Sequence, residues 1–288
     1  MAINDNIKIR RLKIGDIEQA VRLSSSEGWN QTETDWKLLI SNPANICIAA
    51  EYDKKIAGTA TALNHSNEVA WIGMVIVDKT LRGQGIGKML ITSIIDKLRH
   101  FRSVKLDATP AGLPLYKKLG FVEEMMIDRM VCHSFSGNGI SYEDVKAEVI
   151  NGNDMAEIIK LDEKVFGASR NYLLNKLFSD HPEKSFKLTY NKTPDGYIFG
   201  RTGIRYGYIG PLSASSYESA RILLTSALVS LTGQPVIADI LQDKIPLIRF
   251  LESVGFQKQR HFTRMYLKNN TNKGIPGKYY LISGPEYG

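Results

Sequence analysis

Apolar residues recur along the first half of the chain in two rhythms. "EVAWIGMVIV" (Glu68 to Val77) is nearly continuous and β-branched, the pattern of a strand ending near Val77. From Ile86 onward Ile86, Leu90, Ile94 and Leu98 repeat at helical spacing, with Ile91 and Ile95 widening the stripe. Upstream, the pattern predicts a strand in "IKIRRLKI", a helix from about Ile17, a helix around Trp36 to Ile40, and strands in "ICIAAEY" and "KIAGTATALN". Asp16 and Gln19 have the spacing of a capping box, and "YDKK" and "LNHSNE" supply hairpin turns. A strand in "SVKLDA", a helix in "LPLYKKLG" and a strand in "EEMMIDRM" then close the unit.

The unit is duplicated. Leu106 to Met130 aligns without a gap with Leu241 to Met265, bringing together a leucine, a Gly-Phe pair and an Arg-Met pair. "DIEQAVRL" and "TDWKLLISNP" also resemble "DMAEIIKL" and "NYLLNKLFSDHP". A repeat this long indicates a duplicated domain rather than a solenoid. The pattern divides the chain into 1–135 and 145–288, joined by the Gly/Ser-bearing "SFSGNGISYED", with the second copy beginning near Val145. Its strands are expected in "SFKLTYN", "DGYIFGRTG" and "RYGYIGPL", its long helix after Glu218, and a last strand in "YYLISGPEYG".

Composition narrows the function classes. The 288 residues are 43% apolar, enough for a core, and contain no apolar run long enough to span a membrane and no signal-peptide core, so a cytoplasmic protein is expected. Cys47 and Cys132 read as buried thiols. The five histidines have no metal-ligand spacing, and no metal is expected. The net charge of +7 favours an anionic ligand, but the lysines and arginines form no dense tract, which argues against nucleic acid.

The chemistry concentrates in "VDKTLRGQGIGKML". Gly83, Gly85 and Gly87 do not follow the dinucleotide pattern G-x-G-x-x-G, because Lys88 occupies its last glycine position. Arg82 and Met89 break the Walker pattern. The turn nevertheless lies between a strand and a helix, where unpaired N–H groups and the positive helix end can receive phosphate oxygens. The second copy has "SASSYESARIL" there, without the glycine spacing.

"RGQGIG" (Arg82 to Gly87) together with "LYKKLGF" (Leu115 to Phe121) resembles the GNAT acetyltransferase superfamily, and the whole chain resembles a two-domain bacterial-type member with a degenerate second copy. The resemblance implies an α/β fold, tandem GNAT-like units with mixed sheets, and acetyl transfer from acetyl-CoA to a primary amine of a small molecule. It implies backbone donors at Gly83, Gln84, Gly85, Ile86 and Gly87 for the pyrophosphate, with Lys88 opening the helix beside them. Arg82 either adds charge there or orients the loop. Met74, Val75, Ile76 and Val77 would pair with the pantetheine arm, a main-chain N–H near Val75 would polarise the thioester, and Tyr116 would protonate the departing thiolate. Leu251 aligns with Tyr116 in the second copy.

The acceptor side is less defined. Asp107 is either an amine-orienting carboxylate or a turn anchor, and Glu27 offers the same chemistry from the opposite wall. Trp29 is either a surface for a cationic amine or a domain-packing residue. Tyr208 and Tyr280 are candidates to reach the acceptor entrance from the second copy, with strand packing as their alternative role. A monomer and a homodimer are equally compatible with the sequence. An inactive acyl-CoA-binding regulator and a nucleic-acid module are the competing functions.

Overall fold

The computed structural model describes residues 6–140 and 147–288. The expected start of the second copy at Val145 and all of "SYED" lie outside the described residues. The first copy runs β1 (Lys8–Arg11), α1 (Ile17–Ser26), α2 (Glu33–Ser41), β2 (Ile46–Tyr52), β3 (Lys55–His65), β4 (Val69–Val77), α3 (Ile86–Lys97), β5 (Ser103–Ala108), α4 (Leu113–Lys118) and β6 (Val122–Cys132). The second runs β7 (Glu148–Val149), α5 (Met155–Phe166), α6 (Asn171–Asp180), β8 (Phe186–Tyr190), β9 (Thr193–Arg201), β10 (Gly207–Ala214), α7 (Tyr217–Val229), β11 (Val236–Leu241), α8 (Ile245–Ser253) and β12 (Gln257–Lys268). An added strand, β13 (Tyr279–Leu281), follows.

Local chemistry explains most boundaries. Asp53 and Lys54 adopt positive φ in the two-residue turn between Tyr52 and Lys55, and Ser66 and Asn67 do so in the three-residue turn between His65 and Val69. Thr32 caps α2 by accepting from Asp35 N at 3.2 Å, while the Asp35 carboxylate returns to Thr32 N at 2.7 Å. The expected Asp16–Gln19 box does not form. Asp16 instead accepts from Lys13 N at 2.8 Å and pairs with Arg10 at 2.7 Å, while Gln19 accepts from Ile56 N at 3.0 Å. Asp16 caps the turn before α1 from Lys13, and Gln19 is taken up by the start of β3.

All the strands join one mixed sheet in the order β1-β2-β3-β4-β5-β12-β6-β11-β13-β10-β9-β8-β7. β6, the strand expected to close the first copy, pairs with β11, and β12 of the second copy lies between β5 and β6. The halves have exchanged their last strands. The exchange carries apolar side chains with it: Met130 and Cys132 of β6 pack in the core under α7 and α8, and Met265 of β12 packs in the core under α3. On the other face, residues of α1, α2, α5 and α6 share one core that includes Trp36, Leu39, Ile158, Phe166 and Leu174.

Charge follows the same exchange. Arg264 on β12 donates from Nε and Nη2 to Asp107 on β5 at 2.9 and 3.0 Å, and Arg129 on β6 donates from the corresponding atoms to Asp239 on β11 at 2.7 Å each. Asp107 and Asp239 therefore hold equivalent places. This corrects the gapless alignment, which sets Leu106 against Leu241: β5 and β11 match only after a shift along the chain.

The exchange makes each half incomplete. A chain ending at Ser136 would leave β5 without β12 and β6 without β11, and Asp107 and Arg129 without the partners they have in the full chain. We expect this fragment to show no cooperative unfolding transition by circular dichroism, and co-expression with residues 137–288 to restore one. A soluble, cooperatively unfolding fragment would contradict the assignment.

Candidate active site

β4 and β5 run parallel only from Val69↔Ser103 to Ile72↔Leu106 and then separate. The separation coincides with a bulge in β4, where the β3 register shifts and Met74 adopts φ +50°. Two buried hydroxyls hold the bulge: Thr59 Oγ1 donates to Met74 O at 2.8 Å and Thr61 Oγ1 to Gly73 O at 3.1 Å. A non-glycine residue in this conformation costs on the order of 1–3 kcal/mol. The backbone of Gly73 to Val77 consequently has no β5 partner.

Beyond the open strand the chain turns through Gly83 and Gly85, both at φ +79°, and Gly85 is the N-cap of α3. The first turn of α3 has no acidic residue. A Cβ added at Gly83 would meet nothing within 4 Å, so the loop is open on that side. Backbone donors at a helix start, with space before them, fit a phosphate group. Arg82 faces the other way. It is half exposed, donates to Val77 O at 3.3 Å and pairs with Glu27, to which Lys79 also comes within 3.8 Å. Of the two roles left open for Arg82, this geometry is that of a residue orienting the loop.

A cleft opens where β4 leaves β5, lined by Gly73, Met74, Val75 and Leu106 of the strands and by Tyr116 from α4. Tyr116 is 9% exposed, packs edge-on to Phe121 at 5.9 Å, and burial pushes its hydroxyl up to about 12, so it is neutral at physiological pH. Asp107 also lines the cleft. Burial raises its pKa against the opposing pull of Arg264, which engages both its oxygens. Asp107 thus anchors the exchanged strands. Trp29 lines the cleft, whereas Glu27 does not; it pairs with Arg82 and lies near Lys79.

Tyr208 is buried and does not line the cleft. Its hydroxyl donates to Asp239 at 2.9 Å or to Ile282 O at 3.1 Å, and its ring lies under Arg201 at 4.0 Å. Tyr280 packs in the core of the second half, beneath Lys244 at 5.4 Å. The segment containing Tyr208 reaches the site by another route: Arg205 N and Tyr206 N donate to Asn30 Oδ1 at 2.9 and 3.0 Å, fixing the loop that carries Trp29 and Gln31.

The second half supplies a wall whose individual side chains the sequence analysis did not single out. Arg260 and Phe262 of β12, Arg129 of β6, and Pro285 and Glu286 of the tail all face the cleft. The tail lies directly on β4: a Cβ at Gly73 would come within 2.7 Å of Glu286 Cα, so only glycine permits this approach. Trp71 Nε1 donates to Pro285 O at 3.0 Å, Arg170 to Gly288 O at 2.8 Å, and Tyr287 OH to Asp35 at 3.0 Å. Glu286 is 2% exposed and accepts from Arg201 Nη2 at 2.6 Å, while Arg201 Nε donates to Asp35 at 3.0 Å. Burial raises the Glu286 pKa, Arg201 opposes the shift, and the neighbouring Asp35 carboxylate reinforces it. The signal for Glu286 was a carboxylate set among glycines and aromatics in "ISGPEYG".

The corresponding opening in the second half is filled. β10 and β11 pair from Gly207↔Val236 to Ile209↔Ala238, and β13 then inserts between them, Leu281 facing Leu212 and Ile240. Ser216 caps α7 by accepting from Ser219 N at 3.1 Å, where the first half has its open glycine turn.

A split parallel pair, a bulge on one arm and a glycine-backed helix start at its end define an acyltransferase of the GNAT type. The first half matches the model of the Acetyltransferase (GNAT) family over residues 16–121, and the second matches an Acetyltransferase (GNAT) domain over residues 158–280. The holothin acyltransferase of Pseudoalteromonas sp. is 32% identical over 247 residues, covering 82% of this chain and 79% of that protein. The uncharacterized N-acetyltransferase YitH of Bacillus subtilis is 29% identical, covering 65% of this chain and 66% of its own. In fold, a putative acetyltransferase from Pyrococcus horikoshii superposes with a TM-score of 0.80 at 22% identity, over 98% of this chain and 96% of that one. A tandem GNAT protein from the clavulanic acid biosynthesis pathway gives 0.66 at 11% identity, over 91% and 98%. The chain belongs to the GNAT acetyltransferase family as a tandem member. No helix among the described residues is long and apolar enough to cross a membrane.

The seat of the tail is sensitive to acid. His65 is buried against Phe166, its Nε2 is 3.0 Å from Tyr287 O, and burial together with Arg170 pushes its pKa down to about 3 from an ordinary 6.5. Between those values the unfolded chain binds the extra proton, so this contribution is full above pH 6.5 and is lost as pH falls toward 3, by up to ~1.4 kcal/mol per pH unit. His65→Asn should flatten Tm against pH between 6.5 and 4 relative to wild type. Parallel curves would show that His65 is not the group responsible.

Proposed function

We propose that this chain transfers an acetyl group from acetyl-CoA to the primary amine of a small molecule by direct attack. The observation that carries the reading is the succession of Tyr116, the Met74 to Val77 backbone left without a β5 partner, and the glycine-backed start of α3. Membership of an acyltransferase family supports the reaction class, and a relative bearing the name holothin acyltransferase supports a small-molecule acceptor. In this reading residues 1–135 hold the donor, residues 145–288 shape the acceptor side, and there is one donor site per chain because β13 fills the other opening. The buried free thiols Cys47 and Cys132 suit a reducing, cytoplasmic setting.

The roles follow from the chemistry. The N-terminal turn of α3, through Gly83 to Lys88, receives the pyrophosphate, and the β4 backbone holds the pantetheine arm. A main-chain N–H near Val75 stabilises negative charge developing on the thioester oxygen. Glu286 takes the proton the amine loses as it bonds to the acyl carbon, since a carboxyl held above its usual range is a better base near neutrality. Tyr116 hydrogen-bonds to the sulfur as the C–S bond breaks and donates its proton to it. The dry surroundings that raise the phenol raise the thiolate as well, which keeps the transfer from being strongly uphill.

Tyr116→Phe keeps the ring and removes the donor. Its single-turnover rate should fall about 10- to 1000-fold with acetyl-CoA affinity retained, and an unchanged rate would reject the role. Glu286→Gln should slow single turnover and abolish the acidic limb of the kcat/KM profile. An intact limb would assign the base elsewhere.

A further inference from the structure

The charges around the cleft do not cancel locally. Arg129 is matched by Asp239 and Arg264 by Asp107, each through two hydrogen bonds. Arg201 is shared by Asp35 and Glu286, leaving one carboxylate in excess on the tail side. On the β12 side the imbalance has the opposite sign. Arg260 lies beside Arg129 in the β6–β12 ladder and, among the described residues, makes no ion pair. Its Nε is buried with no hydrogen-bond partner, and its guanidinium lies over the face of Phe262, at 5.1 Å. Burial and the repulsion of Arg129 push its pKa down to about 10.

Arg260 is half-buried, and its buried Nε has lost hydration without gaining a partner, which is unfavourable in the free protein. Gln31 across the cleft has the complementary defect: its Oε1 is a buried acceptor without a donor. The cleft therefore presents an unused cationic donor on one wall and, on the other, an unused acceptor together with the excess carboxylate of Glu286.

We propose that the acceptor is a zwitterionic amine of the amino-acid type, whose carboxylate is bound by Arg260 and whose amine is received by the free Oε1 of Gln31 beside Glu286, to which the Gln31 side chain hydrogen-bonds. This rests on the amine-acetyltransferase reading of the same cleft and narrows its substrate class. A carboxylate supplies the two oxygens that a guanidinium fork accommodates, and its arrival neutralises the repulsion between Arg260 and Arg129. A protein N-terminus or a simple alkylamine offers no such anion at that distance from the nitrogen and leaves Arg260 unpaired.

The test uses the full-length protein and paired acceptors: a panel of free amino acids and the amides of the same amino acids, with acetyl-CoA and thiol release as the readout. Wild type should favour the free acids in kcat/KM, and Arg260→Met should lower kcat/KM for the acids about 10- to 100-fold more than for the amides, with Arg260→Lys recovering part of the preference. Because Arg260 is unpaired, Arg260→Met should leave Tm unchanged or raise it, whereas a residue with a structural role would lower it.

Equal use of acids and amides by wild type, or an equal loss for both in Arg260→Met, overturns the proposal. Calorimetric titration with N-acetylated amino acids, which keep the carboxylate and have no amine to react, separates this proposal from the reaction assignment. Binding at least 10-fold weaker in Arg260→Met supports the carboxylate site even if no amine in the panel is acetylated, an outcome that would count against the reaction alone. Equal binding to both proteins, or no binding to wild type, refutes the site.

Discussion

The structure depends on two crossed ion pairs, Asp107 with Arg264 and Asp239 with Arg129, placed where the halves trade their last strands. Each carboxylate sits on the strand that loses its own neighbour, and each arginine arrives on the strand that replaces it. Both pairs are buried, so neither charge has water as an alternative partner. Removing one member of such a pair typically costs about 3–5 kcal/mol, because the other is left uncompensated. Asp107 and Arg129 also form part of the cleft lining. The join between the copies and the floor of the site are therefore built from the same residues.

Duplication here has produced asymmetry. The chain after β12 fills the opening between β10 and β11 with β13, then crosses to the other copy and lays Glu286 on Gly73. A single short segment thus occupies one opening and walls the other. Arg170 and Arg201 hold it from opposite sides, through Gly288 O and Ser283 Oγ for the first and Ser283 O and Glu286 for the second. Both belong to the second half, while the surfaces the tail presents face the first.

What was legible in the sequence follows from the range of the forces involved. Helices and strands set by local periodicity, such as α3 and β2 to β4, lie where the apolar pattern puts them, and the glycine turn falls between β4 and α3. Met74, Val75, Trp29, Asp107 and Tyr116 come together at one cleft. The partners of these residues were not legible. Gln19, Glu27, Asp107 and Tyr208 each meet a partner distant in the chain, and periodicity carries no information about partners. Strand exchange was hidden for a related reason: β6 and β12 have similar patterns and pair with β11 or β5 equally well by pattern alone, so the choice lies in tertiary packing.

Strand exchange also bears on how the chain reaches this state during synthesis. The first half leaves the ribosome with β5 exposing an unpaired edge, and its intended neighbour starts only at Gln257. At ordinary elongation rates the wait is on the order of ten seconds, long compared with the collapse of a nascent domain. Through that interval β6 is the nearest strand available to β5, and a transient unexchanged pairing would have to open again before β11 and β12 arrive. Such a chain gains its final arrangement only near the end of translation, so mutations far toward the C-terminus would act on the yield of the first half as strongly as mutations within it.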